Sequence, residues 1–204
     1  MKIKLKQYNS IGKEEINAAK KVVASGKLSG FVAGNTREFL GGKHVLKFEK
    51  YLKKFYKVKH AIVLNSWTSG LVAIVGALDL EPGDEIIVTP WSMCATSTAI
   101  LHWNCIPVFA DIDKNTFNID PEEVQKKITS RTKAIMVADI FGYPCDIDAL
   151  KKIVRGKNIK IITDSAQSPF SKYKGKITGT LSDIGGFSLN YHKIINTGEG
   201  GIVV

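Results

Sequence analysis

Cysteine is scarce in this sequence, with Cys94, Cys105 and Cys145 the only three. An odd number without CxxC spacing fits neither a disulfide framework nor a structural zinc site, so these read as reduced, mostly buried thiols and no metal is expected. Long apolar runs are missing too. No stretch reaches the roughly 18 residues that suggest a membrane span, and the opening MKIKLKQYNSIGKEE has no apolar stretch of signal-peptide type. A cytoplasmic protein without a membrane partner is the expectation. Acid is in deficit, with 19 Asp plus Glu against 29 Lys plus Arg and a formal charge of +10. Such an excess suits an anionic partner. The lysines, however, are dispersed (Lys20, Lys21, Lys53, Lys54, Lys126, Lys127, Lys151, Lys152) where helix outer faces are expected, as on a solvated surface. With no zinc-finger spacing and no RNP-type aromatic motif, nucleic acid is not expected as a partner.

What is present is ordinary globular material: 204 residues, 44% hydrophobic and 24% charged, enough for one good core. One large domain over 1–204 is the expectation. Strand-like runs fall at Ala61–Leu64, Glu85–Val88, Ile106–Ala110, Ala134–Ala138, Ile159–Thr163, Gly185–Leu189 and Gly201–Val204. Helical patterns lie between them near 45–56, 69–80, 92–102, 120–127 and 146–155. This alternation predicts an α/β fold with a mainly parallel sheet. Runs such as AIVL, IPVFA and AIMVA are apolar on both faces, the pattern of strands covered by helices on each side. Glu81-Pro82-Gly83-Asp84 reads as a turn. Asp120-Pro121-Glu122-Glu123 reads as a helix start. The Gly-rich segment from Ser29 to Gly42 reads as a loop, placed to cover a ligand. The ending GGIVV lies inside a strand pattern, which suggests either a shortened chain or a last strand that pairs within the sheet and stops.

In parallel α/β sheets ligands bind beyond the carboxyl ends of strands, so the loops there are where chemistry is sought. After Ala61–Leu64 comes Asn65-Ser66-Trp67-Thr68-Ser69-Gly70, small hydroxyl residues opening a helix. This is either an ordinary N-cap or a phosphate cradle using the helix N-terminus and the hydroxyls of Thr68 and Ser69. After Ile159–Thr163 comes Asp164-Ser165-Ala166-Gln167. A carboxylate there either caps the next turn or is buried and must meet a cation or hydrogen-bond donors. After Gly185–Leu189 come Asn190-Tyr191-His192-Lys193 and then Thr197-Gly198-Glu199-Gly200-Gly201. A lysine just past a strand end is either surface or desolvated enough to react as a neutral amine. Taken together, a phosphate cradle, a buried acid and a reactive lysine are what pyridoxal 5'-phosphate demands. A dinucleotide-binding oxidoreductase is disfavoured, because no G-x-G-x-x-G follows the first strand.

At these residues the chain resembles the DegT/DnrJ/EryC1/StrS sugar aminotransferases. The resemblance runs from IGKEEINAAKKVVASGKLSG and FEKYLKKFYKVKHAIVLNSWTSGLVA through PGDEIIVTP, IPVFADIDKNTFNID, FGYPCDIDAL and TDSAQS to FSLNYHKIINTGEGGIVV. It implies a three-layer α/β sandwich, the large domain of the type I pyridoxal-phosphate transferases. It also implies a chain shortened at its C-terminal end, since relatives continue into a smaller domain. By the resemblance Lys193 is the Schiff-base lysine, which then shuttles a proton as base and acid. Asp164 pairs with the pyridinium nitrogen and Gln167 lies near the ring hydroxyl. Thr68, Ser69 and Ser188 hold the phosphate. Counting back from Thr96, Met93 falls where the family places a ring over the cofactor, with Trp91 the alternative. The implied activity moves an amino group from glutamate or glutamine to a nucleotide-linked keto-sugar, in a homodimer. Two other outcomes are a chain that folds without activity and a sugar dehydratase. Relatives of the second kind carry histidine in place of the lysine.

Overall fold

β-Branched and apolar runs pair where the alternation of strands and helices predicts. The computed structural model describes residues 11–31, 33–35 and 37–204. The readings made on the first ten residues, and on Val32 and Thr36 of the Gly-rich loop, lie outside these. The chain divides into two units, one within the first 51 residues and one over Leu52–Val204.

In the first unit, helix α1 (Lys13–Ala24) begins at Gly12, whose amide donates to the Glu15 carboxylate at 2.7 Å. Glu14 and Glu15 in its first turn and Lys21 in its last match the helix dipole. Beyond it Gly30 and Gly42 pack backbone to backbone, where a Cβ on Gly30 would lie 2.2 Å from Gly42 Cα. A 3-10 turn follows at Arg37–Leu40, and helix α2 (Lys43–Tyr56) then runs on into the second unit.

The second unit is built on β1 (Ile62–Leu64), β2 (Glu85–Val88), β3 (Ile106–Phe109), β4 (Thr132–Ala138), β5 (Lys160–Asp164), β8 (Ile184–Ser188) and β9 (Gly201–Val203). These form one seven-stranded sheet in the order β1-β9-β8-β5-β4-β2-β3. The contacts from β8 through to β3 are parallel, and β9 runs antiparallel between β8 and β1. The apolar ending is therefore an interior strand, paired on both sides. Between the strands lie α3 (Trp67–Ala77), α4 (Cys94–Leu101), α5 (Pro121–Lys127) and α6 (Ile147–Val154). Alternate residues of the central strands face opposite ways. Ile86, Val88, Ala134, Met136 and Ile162 pack with α3 and α4, burying Leu71, Ile74, Val75, Ala99 and Ile100. Ile87, Ile135, Val137 and Ile161 pack on the other face with Val124 of α5 and Ile147 and Leu150 of α6. The result is a three-layer α/β sandwich with a mostly parallel sheet.

Two details correct the expectation. Runs apolar on both faces are fully covered in β4, but Ile62 of β1 is 55% exposed and Phe109 of β3 is 49% exposed. Both strands are sheet edges, and their apolar side chains are only half sheltered. A short hairpin, β6 (Lys172–Tyr173) with β7 (Lys176–Ile177), turning at Lys174-Gly175, has no precursor in the apolar pattern. Other local signals hold. Gly83 takes φ +90° in its turn. Asp120 accepts from Glu122 N–H at 2.8 Å, with Pro121 next to it opening α5.

The start of α3 sits unusually close to β9. A Cβ on Gly201 would lie 2.5 Å from the carbonyl of Ser66 and 2.6 Å from Trp67 N, contacts with backbone that cannot step aside. Gly201→Ala is therefore expected to cost at least about 2 kcal/mol of stability, measured by urea unfolding. An unchanged midpoint would mean that helix and strand separate freely.

Candidate active site

The ends of β4, β5 and β8, the first turns of α3 and α4, and the loop from β8 to β9 surround one cavity. Its sheltered interior is about 120 Å³, and it opens to solvent. Its wall includes Thr68, Met93, Asp164, Gln167, Ser188 and Lys193, six of the seven residues singled out from sequence.

Asp164 closes β5 and is buried. Its Oδ1 accepts the indole N–H of Trp67 at 2.6 Å and the amide of Ala166 at 3.1 Å, and its Oδ2 accepts the Thr96 hydroxyl at 2.8 Å. Of the two readings left open, both hold: it receives the next turn's amide, and it is a buried acid met by donors. Burial pushes its pKa above the usual carboxylate value. The bonds from Thr96, Trp67 and Ala166 pull it back, and the nearby charge of Asp139 adds to the rise.

Asp139, just past the end of β4, is a second buried carboxylate on the cavity wall, and sequence reasoning passed over it. It accepts from Cys145 N–H at 2.9 Å, from the hydroxyls of Ser165 at 2.5 Å and Thr178 at 2.6 Å, and from Ser168 at 3.4 Å. With that many donors its oxygens are spent on holding the loops after β4 and β5 together.

Lys193 rides on a loop pinned at its base. Leu189 N–H donates to Gly200 O and Thr197 N–H to Leu189 O, both at 2.9 Å. Asn190 Nδ2 bridges both Glu199 carboxylate oxygens at 2.9 Å. Lys193's own amide donates to Asn190 O at 2.9 Å, which turns the side chain toward the cavity wall. Partial burial lowers the amine's pKa below that of an ordinary lysine, and the Asp164 charge opposes the shift. A desolvated amine within the field of a buried carboxylate is a nucleophile that can also carry a proton. His192 beside it is exposed and meets the Tyr191 ring edge-on at 5.5 Å.

The α3 N-terminus supplies the anion-binding end. Ser66 is its N-cap and accepts the Ser69 amide at 3.0 Å, while Gly70 N–H donates to Ser66 O. Among the described residues the amides of Trp67 and Thr68 have no acceptor, and they lie in the same turn as the Thr68 hydroxyl, which lines the cavity with Ser188. Ser69 belongs to the cap as well. Its amide and hydroxyl are both engaged with Ser66 Oγ at 3.0 Å, so it completes the cap and is not on the cavity wall.

Gln167 accepts the Phe141 amide through Oε1 at 2.7 Å. That fixes which end of the side chain is oxygen, and the NH₂ is what it has left to donate. Phe141 adopts φ +53°, an uncommon conformation for a bulky residue. Met93, at the start of α4, is on the cavity wall, whereas Trp91 is not and rests against Phe117 at 6.1 Å. Of the two candidates for the ring-covering position, Met93 is the one that lines the cavity.

This donor set fits pyridoxal phosphate. A helix end and two hydroxyls suit the phosphate, a buried carboxylate with one acceptor position open suits a protonated ring nitrogen, an amide NH₂ suits the ring hydroxyl, and a desolvated amine suits the aldehyde. Asn190, also on the wall, has a buried Oδ1 that finds no hydrogen-bond partner among the described residues, as a group awaiting a ligand would.

The α/β sandwich on a mostly parallel seven-stranded sheet is the large-domain fold of the type I pyridoxal-phosphate transferases, as its similarity to solved aminotransferase structures shows. The chain belongs to the DegT/DnrJ/EryC1/StrS aminotransferase family, whose model matches residues 9–204. It is 36% identical to the spore coat polysaccharide biosynthesis protein SpsC of Bacillus subtilis, over 95% of this chain and 47% of that protein. It is 38% identical to the GDP-perosamine synthase of Caulobacter vibrioides, over 79% of this chain and 44% of the other. Among solved structures it resembles the GDP-4-keto-6-deoxy-D-mannose-3-dehydratase of E. coli with bound hydrated pyridoxal phosphate. There the TM-score is 0.86 and the identity 30%, over 97% of this chain and 49% of that one. The chain thus spans less than half the length of these relatives. The family's cofactor is pyridoxal phosphate.

Proposed function

We propose that this chain is the cofactor-binding large domain of an aminotransferase that moves an amino group from glutamate or glutamine to a nucleotide-linked keto-sugar. The observation that carries the reading is the meeting of Lys193, from the loop after β8, and Asp164, from the end of β5, on one cavity beside the α3 N-terminus. Pyridoxal phosphate, when bound, supplies an aldehyde that bonds an amine and a protonated ring that accepts the electron pair released as an α-proton leaves. The chain's residues do the rest. Thr68, Ser188 and the α3 amides bind the phosphate and fix its position. Asp164 holds the proton on the ring nitrogen, and Gln167 NH₂ donates to the ring hydroxyl. Met93 packs its soft side chain over the ring. Lys193 Nζ takes the α-proton of the amino donor and holds it as an ammonium, which the Asp164 charge supports.

Lysine rather than histidine at 193 favours amino transfer over dehydration. Relatives named for GDP-perosamine synthesis and spore coat polysaccharide support a nucleotide-sugar acceptor. A homodimer belongs to this reading by family likeness. So does a cytoplasmic location, with which the described residues agree in having no helix long and apolar enough to cross a membrane. The test is to incubate the purified chain with pyridoxal phosphate, glutamate or glutamine, and GDP- and UDP-linked 4-keto-6-deoxy sugars, and to follow amino sugar by mass spectrometry. Amino sugar formed with one of the donors is the expected product. Dehydrated sugar alone would support the dehydratase, and no product despite bound cofactor would mark a chain that folds without this activity.

A further inference from the structure

Trp67 lies in the first turn of α3, where its bulk is out of keeping with the small residues around it. Its indole is buried in a slot cut by two glycines. A Cβ on Gly186 would lie 2.2 Å from its Cζ3, and one on Gly70 would lie 2.9 Å from its Cε3. The slot aims the indole N–H at Asp164 Oδ1, 2.6 Å away and 97 residues distant in sequence.

We propose that Trp67 is a positioning residue for Asp164, fixing the carboxylate so that Oδ2 alone keeps an acceptor position for the cofactor's ring nitrogen. This rests on the cofactor reading above. A carboxylate offers about four lone-pair positions, two on each oxygen. Trp67 and Ala166 occupy both on Oδ1, and Thr96 occupies one on Oδ2. One is left. Indole N–H can donate and never accept, so unlike the Thr96 hydroxyl it cannot turn round to serve a protonated acid. Trp67 therefore favours the anion and fixes its rotation at once. The charged groups facing the carboxylate are Asp139 from the end of β4, which opposes the anion, and Lys193 from the loop after β8, which supports it.

The first arm of the test uses the cofactor-free parent protein with ¹⁵N-labelled tryptophan. The Trp67 Nε1–H resonance should shift with pH along a single titration, and that titration should vanish in Asp164→Asn. The second arm uses Trp67→Phe, which removes the N–H and keeps an aromatic ring. By ¹³C NMR the Asp164 carboxyl midpoint should move upward, and the dissociation constant for pyridoxal phosphate should rise about tenfold or more, as loss of a hydrogen bond to a charged group implies. An indole resonance indifferent to Asp164→Asn, or a Trp67→Phe protein that binds the cofactor with parental affinity, overturns the proposal. If Trp67→Phe fails to fold, the first arm decides. Absence of a borohydride-stable Lys193 adduct in the parent would instead sink the cofactor reading, and with it the role assigned to Oδ2. The Trp67–Asp164 contact would still be read by the first arm.

Discussion

Lys193→Ala should leave no borohydride-stable adduct of pyridoxal phosphate on the chain and should lower amino transfer by at least about 10³-fold, since it removes both the covalent anchor and the proton carrier. The side chain sits on a loop outside both apolar clusters, so the variant should fold as the parent does. Lys193→Arg is the sharper control. A guanidinium keeps the charge beside Asp164 but does not yield a neutral amine in a protein, so it should fail as completely as alanine. A reactive Arg variant would mean that only the charge matters. The pH dependence gives a second readout. Burial lowers the Lys193 pKa, so the neutral amine exists over a range where an ordinary lysine is still an ammonium. Adduct formation, trapped by borohydride and mapped by peptide mass, should rise with pH around a midpoint below the ordinary lysine value. A midpoint at the ordinary value, or an adduct on another of the many lysines, would end the assignment.

The parts of this site that local sequence encodes were legible, and the parts made by contact between distant segments were not. The central parallel strands β2, β4 and β5 announced themselves, because a buried parallel strand needs a run of apolar, β-branched residues, as Ile86-Ile87-Val88 shows. The same rule misjudged Ile62 and Phe109, since an apolar run carries no mark of whether its strand is central or at an edge. Asp164 and Lys193 could be singled out because topology alone places strand-end loops on one side of a parallel sheet. Their partners could not. Trp67 meets Asp164 across 97 residues and Thr96 meets it across 68, and neither carries a local sign of its role. One clue was available for Trp67: a bulky indole among Ser, Thr and Gly needs a glycine-lined slot somewhere in the fold, and Gly186 supplies it. Thr68 and Ser69 look equivalent in sequence, but the fold puts Thr68 on the cavity wall and engages Ser69 with the N-cap Ser66.

Asp164→Asn should make the cofactor-free protein more stable at neutral pH while lowering amino transfer by roughly 10²-fold or more. The two effects have one origin. The carboxylate is buried, and the cost of desolvating its charge exceeds what Thr96, Trp67 and Ala166 return, so its pKa is raised in the folded chain. For an acid, a raised folded-state pKa means that the native chain binds more protons than the unfolded chain between the two values. Stability is then full below the unfolded pKa and falls as pH rises through the folded one. As pH rises through the raised folded-state value, the native protein comes to carry that penalty. Asparagine removes it with little rearrangement. Its carbonyl can accept from Trp67 and Ala166 as Oδ1 does, and its NH₂ can donate to Thr96, whose hydroxyl is free to reverse. The melting temperature should therefore rise, by on the order of 2–4 °C for a chain of this size, and the gap to the parent should close near pH 4 as the parent's carboxyl takes up its proton. Catalysis moves the other way, because a neutral amide cannot hold a proton on the ring nitrogen through the charge it develops. Melting curves at several pH values, paired with turnover, check both halves. A variant less stable than the parent at pH 7, with the same gap at pH 4, would make Asp164 a structural anchor. Gain in stability with loss of turnover would identify a group kept buried and charged, at a cost to the fold, because the cofactor requires it.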